Sequence, residues 1–520
     1  MITNVLEYLE NSAARFPDKV ALSDENGSVT YAQYAGMARR IGSFLAKRLD
    51  GRMNCPVAVL IDRSIFPVIA FMGVVYSGNF YVPIDPSMPE ERVKLIFDTL
   101  QPVLVLDATA DEPSEDDDTV FFEVAVSEPE DEALLGDIRS RAIDLDPLYT
   151  LFTSGSTGVP KGASITHRGV IDLVEAFDKV FDFDADCVFG NQAPFDFDVS
   201  TKDIYDAMKH GGRVEVIPKK LFMLPKPLLQ YLCERDVNVL IWSVSALRII
   251  ADFKAMDAKA PKTADGAAVP PEAPSLPQLR YVMLCGEMMP VKALNYWRTH
   301  LPQTKYVNLY GPTEITCNCV FHEITEDLGD SDLIPIGRPF PNSRVLLLDD
   351  ERKTEITRAE VGKIGEICVG GSCLALGYWN NPERTEGAFI QNPFVSEYKS
   401  TLYATGDMAY YNENGDLVFA ARRDFQIKHM GHRIELGEVE AALNAIEGID
   451  VACCLYNQPE KKIYCFYQSA EEDTKKIATE LLKKLPKYMC PNVYVRYDRL
   501  PLNKNSKIDR VRLRTEHFGE

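Results

Sequence analysis

Tyr149-Thr-Leu-Phe-Thr-Ser-Gly-Ser-Thr-Gly-Val-Pro-Lys-Gly162 is the stretch on which the reading of this chain turns. An apolar, strand-like entry runs into six small hydroxyl or glycine residues, Thr153, Ser154, Gly155, Ser156, Thr157 and Gly158, and then into Pro160, Lys161 and Gly162. Glycines let backbone N–H groups turn inward and the hydroxyls add donors, so such a loop can wrap a polyphosphate. Lys161 adds a point charge beside it. No Gly-Lys-Ser/Thr closes the run at the spacing of a Walker A loop, so this is not a Walker A loop; the alternative to a phosphate-wrapping loop is a flexible Gly/Ser turn.

Around this loop, short apolar runs alternate with helical stretches. Residues 5–16 read as a helix with Val5, Leu6, Leu9 and Ala13 on one face. Residues 57–61, 103–107, 214–217, 237–241 and 279–284 read as strands, and a helix is expected over 65–76. Strands interleaved with helices predict an α/β fold with mostly parallel sheets. Two segments read as exposed excursions: residues 107–132, with a dense acidic run, and residues 254–277, rich in Ala, Pro and Lys. After Asp424 the texture changes to that of a small α+β domain. Its expected elements are a strand at 426–428, a helix carrying Leu436, Val439, Leu443 and Ile446, strands near 451–456 and 463–467, and a helix ending before Pro486.

The 520 residues are too many for one core and predict at least two domains. Against 56 Lys and Arg stand 77 Asp and Glu, a formal charge of −21. That balance argues against a nucleic-acid or anionic-membrane partner, yet leaves room for a nucleotide held by local positive charge. The 12 cysteines form no CxxC pair and only seven histidines accompany them, so zinc spacing is absent and reduced thiols are expected. The N-terminus is unlike a signal peptide and no apolar run is long enough to span a bilayer. A cytoplasmic protein without membrane insertion is the expectation.

The loop resembles the phosphate loop of adenylate-forming enzymes, the superfamily of acyl-CoA synthetases, luciferases and amino-acid adenylation domains. Further stretches match in the family's order: Tyr76-Ser-Gly-Asn-Phe-Tyr-Val-Pro-Ile-Asp-Pro86, Asn308-Leu-Tyr-Gly-Pro-Thr-Glu314, Gly365-Glu366, Gly377-Tyr378, Tyr403-Ala-Thr-Gly-Asp407, Arg433-Ile-Glu-Leu-Gly-Glu-Val-Glu440 and Pro501-Leu-Asn-Lys-Asn-Ser-Lys507. The resemblance covers nearly the whole chain, from about Leu6 to about Arg512. The resemblance implies a large N-terminal core over residues 1–423, with layered α/β sheets and a β-subdomain, and a small mobile C-terminal lid over 424–520. Asp424 would be the hinge; Ala421 stands where the family usually has Gly.

The resemblance also implies a chemistry and its residues. ATP and Mg²⁺ are the implied cofactors, and a carboxylate attacks the α-phosphate in line, expelling pyrophosphate. The loop from Thr153 to Gly158, with Lys161, would hold the β- and γ-phosphates. Glu314 would ligate the metal, Thr313 would lie near the α-phosphate, Tyr310 against adenine, and Asp407 with Arg422 at the ribose. Lys507 would bridge the substrate carboxylate and the phosphate; Ser506 stands where a Gly is usual. In a second half-reaction a thiol would enter past Lys428 and Gly431. Gly431 reads equally well as an ordinary hairpin turn.

Phe197-Asp198 sits where amino-acid adenylating members carry their Phe-Asp motif, and a carboxylate in an apolar acyl pocket needs a cation such as an α-ammonium group. Asp196 is the competing register. Asp198, Val199, Lys202, Met283, Cys285, Leu309 and Cys317 are the expected pocket residues. The nearest subfamily is that of D-alanine–carrier-protein ligases, by Gln192-Ala-Pro-Phe195, Phe197-Asp198, Ser200, Asp203-Ile-Tyr205 and Leu284-Cys-Gly-Glu287. It implies a small amino acid, D-alanine first, loaded onto the phosphopantetheine of a separate carrier protein. Cys285 would shorten the pocket, or is a core thiol. Lys202, Leu309, Cys317 and Asn318 depart from that subfamily. Lys202 either faces solvent or, turned inward, asks for a polar or acidic substrate, because a buried lysine needs a partner. An acyl- or aryl-acid CoA ligase shares the nucleotide motifs and lacks a use for Asp198.

Overall fold

The computed structural model describes residues 1–109, 119–155, 159–257, 276–329, 332–423, 426–470, 473–502 and 508–519. Most of the acidic run (110–118) and of the Ala/Pro-rich segment (258–275) lies outside the described residues. The chain divides into two compact units. The larger comprises Met1–Asp85, Pro102–Leu151 and Ala163–Ala421; the smaller comprises Pro86–Gln101, Phe152–Gly162 and Arg422–Glu520.

The α/β expectation is borne out in the larger unit. One sheet has nine strands, and its centre, from Lys305–Tyr310 through Tyr281–Cys285, Val239–Ser243, Val188–Asn191 and Arg213–Val216 to Val20–Ser23, is parallel throughout. Antiparallel strands, Val320–Glu323 and Ser28–Thr30, flank it. Strands of this kind, covered on both faces, read as unbroken apolar runs; Val-Leu-Ile-Trp-Ser at 239–243 and Tyr-Val-Met-Leu-Cys at 281–285 are buried at every position. Among the described residues a seven-stranded sheet is built around Pro56–Leu60, Phe80–Ile84 and Leu104–Asp107, which pair in parallel, while Gly377–Tyr378 at its edge is antiparallel. A smaller antiparallel sheet pairs Ser343–Leu348, Gly365–Gly371, Thr401–Tyr411 and Phe389–Gln391.

The expected helix at 65–76 is Phe66–Tyr76, buried at all but its first residue. It lies against Tyr31–Arg48, which starts with a capping box of Thr30 and Gln33. The two backbones meet at glycines: a Cβ on Gly73 would come 2.4 Å from Ile41 Cγ2, and one on Gly42 2.5 Å from Tyr76 Cβ. Part of the expected acidic excursion is ordered structure instead. Thr119–Phe121 adds a parallel strand beside Leu104–Asp107, and Phe122–Ser127 follows as a helix that buries Phe122 and Ala125. Two buried phenylalanines outweigh the polar composition of the flanks.

The smaller unit contains the hairpin Gln426–His429/His432–Glu435, the helix Leu436–Asn444, and a three-stranded sheet of Val451–Asn457, Lys462–Gln468 and Val493–Tyr497. Ile434, Leu436, Val439, Leu443, Cys454, Cys465, Ile477 and Leu481 form its core. The parallel strand Val493–Tyr497 and the closing helix Arg510–Phe518 were not anticipated from sequence. The unit also contains the helix Glu90–Leu100 and the segment Phe152–Gly162, which a division made along the sequence leaves with the larger unit.

Candidate active site

The opening loop begins where the strand Pro147–Thr153 ends. Ser154 Oγ donates to the Arg433 carbonyl at 2.8 Å and accepts from Glu435 N–H at 3.1 Å. Gly155 N–H donates to Glu438 Oε2 at 3.0 Å. Thr153 Oγ1 is buried with no hydrogen-bond partner among the described residues. One backbone N–H of the loop therefore already holds an anionic oxygen, as a phosphate cradle must. Glu438 is 1% exposed and paired with the buried Arg92. Burial raises its carboxyl above the usual range, with Arg92 and the Gly155 N–H pulling it back. Removing Arg92 would strand this carboxylate, a loss on the order of 3–5 kcal/mol. Sequence reasoning gave no role to Arg92 or Glu438, although Glu438 lies within the quoted Arg433–Glu440 motif. Lys161 opens the strand Lys161–Thr166 and is buried. Ser156, Thr157, Gly158, Asp424 and Lys507 lie outside the described residues.

In the larger unit, the strand Lys305–Tyr310 runs through Gly311 and Pro312 into a single 3₁₀ turn, Thr313–Ile315. Only glycine fits at 311, since a Cβ there would sit 2.4 Å from the Cys317 carbonyl oxygen. Tyr310 and Asp407 come together: the phenol donates to Asp407 Oδ2 at 2.6 Å, and Asp407 N–H donates to Thr405 Oγ1 at 3.0 Å. Burial raises the Tyr310 phenol well above its ordinary value, and the Asp407 charge adds to that. The phenol stays protonated and fixes the carboxylate's orientation. Glu314 is fully buried and accepts from Tyr378 Oη at 2.7 Å; Thr313 beside it is also buried. Among the described residues, no three His, Cys, Asp or Glu side chains cluster as a metal site. Glu314 would supply a carboxylate oxygen to Mg²⁺, an ion that takes most of its shell from water and phosphates. Arg422, counted with the smaller unit, is half-buried at the end of the strand Leu417–Arg422.

The third constellation surrounds the helix Val199–His210, also in the larger unit. Asp198 is its N-cap residue; Ser200 and Thr201 hydroxyls donate back to the Phe197 and Asp198 carbonyls at 2.8 and 2.7 Å. Asp198 is buried whereas Asp196, the competing register, is half-buried. Lys202, one turn after Asp198 and so on the same face, is 0% exposed. The solvent-facing alternative for Lys202 is thereby overturned. Its Nζ donates to Asn318 Oδ1 at 2.7 Å and lies 3.0 Å from Cys317 Sγ and 3.6 Å from Cys285 Sγ. Burial works against its charge, but Cys285, Cys317 and Asp198 outweigh this and raise its pKa above the ordinary lysine value. Burial also raises both thiols, so at neutral pH they meet Lys202 as uncharged groups. Met283, Cys285 and Leu309 stand on adjacent parallel strands, with Cys285 level with Leu309, and all belong to one buried cluster with Val199 and Cys317. Asn318 is the partner that sequence reasoning had noted only as a departure. Nothing local marks it, because it meets Lys202 from 116 residues away.

Asp203 and Asp206 on the same helix are also fully buried. Burial pushes Asp203 up to about 7, against its hydrogen bond from Asn191 and the charges of Lys202 and Arg63. Both Asp206 oxygens lack a hydrogen-bond partner among the described residues, and burial raises its pKa well above the usual range. A carboxyl whose folded-state pKa is raised binds its proton more tightly when folded. Its stabilising effect is therefore complete below the unfolded pKa of 3.8 and is lost as pH rises toward the folded value. Asp206→Asn should raise Tm by a few degrees at pH 8, and the gain should shrink toward zero at pH 4. Equal shifts in melting curves at the two pH values would show that Asp206 is not held neutral.

Residues 9–379 match the family model of AMP-binding enzymes. The chain belongs to that family. It is 30% identical to tyrocidine synthase 1 of Brevibacillus parabrevis over 98% of this chain, and it spans 45% of that protein's length. It spans less still, 9%, of bacitracin synthase 1 of Bacillus licheniformis, again at 30% identity over 98% of this chain. It is 30% identical to D-alanine--D-alanyl carrier protein ligase of Bacillus licheniformis over 98% of this chain and 99% of that one. Among solved structures it is similar to holo-PA1221, an NRPS protein containing adenylation and PCP domains, with TM-score 0.80, 26% identity, and 99% of this chain and 84% of that chain covered. Among the described residues no helix is long and apolar enough to cross a membrane.

Proposed function

We propose that this chain activates an amino acid with ATP, as aminoacyl-AMP with release of pyrophosphate, and passes the acyl group to the phosphopantetheine thiol of a separate carrier protein. The observation that carries this reading is Asp198, a carboxylate buried at a helix start and close enough for its charge to act on the Cys285 and Cys317 thiols. Such a carboxylate is costly in an apolar setting unless a cation meets it; Lys202 stands one helical turn away in the free protein, and the substrate's α-ammonium group is the cation that binding would bring. Full-length likeness to D-alanine--D-alanyl carrier protein ligase favours D-alanine among the candidates. Lys202 favours a polar or acidic amino acid.

In this reading the loop from Thr153 to Gly158 and Lys161 take the β- and γ-phosphates through N–H and hydroxyl donors, as Gly155 N–H now takes the Glu438 carboxylate. Tyr310 holds Asp407 in place for the ribose diol, helped by Arg422, while the Tyr310 ring lies along adenine. Thr313 lies near the α-phosphate. Glu314 would hold Mg²⁺, which neutralises charge on the phosphates when bound. Lys507 joins the attacking carboxylate to the phosphate. Asp424 is the hinge for the second half-reaction, in which the thiol enters past Lys428 and Gly431. Met430 and Gly431 both have positive φ, 52° and 83°, as a two-residue hairpin of the primed type requires. That turn also leaves no side chain at 431 to narrow an entry path.

ATP–pyrophosphate exchange tests the proposal. Exchange should depend on a free amino acid and should fail with the N-acetyl derivative of the same amino acid, which has no ammonium group for Asp198. Exchange driven instead by an aryl or aliphatic acid would overturn it.

A further inference from the structure

We propose that Lys202 selects the substrate's side chain, and that the amino acid activated here carries a side-chain carboxylate. This rests on the reading of the chain as an amino-acid-activating enzyme.

Hydrogen-bond capacity points to a carboxylate first. Lys202 is one of the largest fully buried side chains in the protein. An ammonium group has three protons to place. Among the described residues it reaches one oxygen, Asn318 Oδ1 at 2.7 Å, and two sulfurs, Cys317 at 3.0 Å and Cys285 at 3.6 Å. Neutral thiols are weak acceptors, so two of the three protons point at groups that a carboxylate would readily replace.

Charge points the same way. Asp198 and Lys202, one helical turn apart, balance each other in the free protein. Binding an amino acid brings an ammonium group to Asp198. Its α-carboxylate loses its own charge when it becomes the acyl half of the anhydride with AMP. With an uncharged side chain the substrate ammonium and Lys202 would then face the carboxylate of Asp198, and the other acid next to Lys202, Asp203, is pushed up to about 7 by burial and is only partly charged at neutral pH. A side-chain carboxylate restores the balance by pairing with Lys202, while Asp198 is left to the ammonium. Met283 and Leu309 offer only apolar surface and Asn318 is neutral, so none of these pocket residues supplies that charge.

The test is pyrophosphate exchange by the full chain across aspartate and glutamate of both hands, asparagine, glutamine, glycine, β-alanine and D-alanine. Exchange with one acidic amino acid should exceed that with its amide isostere by about a hundredfold or more. Lys202→Met should remove most of that preference, lowering exchange with the acid about a hundredfold while the KM for ATP holds. If the wild-type protein prefers D-alanine or any other uncharged amino acid, the inference is overturned and amino-acid activation stands. Acid preference that survives in Lys202→Met removes Lys202 from the role. If no amino acid drives exchange and an aryl or aliphatic acid does, both readings are overturned together.

Discussion

Lys507→Ala should slow adenylate formation by a hundred- to a thousandfold while thioester formation from supplied aminoacyl-AMP proceeds near its normal rate. As the substrate carboxylate attacks the α-phosphate, negative charge gathers on both reacting groups. A cation placed between them stabilises that charge more than it stabilises the separate substrates, so its loss falls on the rate rather than on binding. The second half-reaction attacks a carbonyl, and in this account Lys507 is then away from the reacting atoms. Rapid-quench measurement of each half-reaction separates the two. Equal losses in both would contradict the alternation about Asp424. Lys507 lies outside the described residues, and its role rests on its place in the Pro501–Lys507 motif.

Asp198→Ala should raise the KM for the amino acid by two to three powers of ten and leave the KM for ATP within a few-fold. Removing one partner of a buried ion pair strands the other, at about 3–5 kcal/mol. In the variant, the substrate ammonium would lack its counter-charge. Steady-state exchange with each substrate varied in turn reads the split. An equal rise in both constants would take Asp198 away from the ammonium group, and the half-buried Asp196 would become the candidate.

The layered architecture was largely legible because parallel strands covered on both faces must be continuous apolar runs. Residues 57–61 and 279–284 were expected as strands and occur as Pro56–Leu60 and Tyr281–Cys285, displaced by a residue or two at their ends. Val493–Tyr497 escaped because it is half-buried at every position and has no apolar face to read; its partner Lys462–Gln468 defines it. In the candidate site, residue types could be read from motifs but not the contacts they make. Tyr310 and Asp407, 97 residues apart, each had a separate assignment, and the structure joins them through one hydrogen bond. The two alternatives for Lys202 could not be separated from the sequence of its own helix. Asn318, Cys317 and Cys285, which decide between them, come from distant segments. Likewise, nothing near Gly155 announces that Glu438 will occupy its N–H.

Where ATP is cut tests the central claim most directly. A single turnover with ATP labelled at the α-phosphate, in the presence of the preferred amino acid and without any thiol acceptor, should yield one pyrophosphate per labelled aminoacyl-AMP. Release of ADP and orthophosphate, with no label joined to the amino acid, would place the attack at the γ-phosphate and contradict the account.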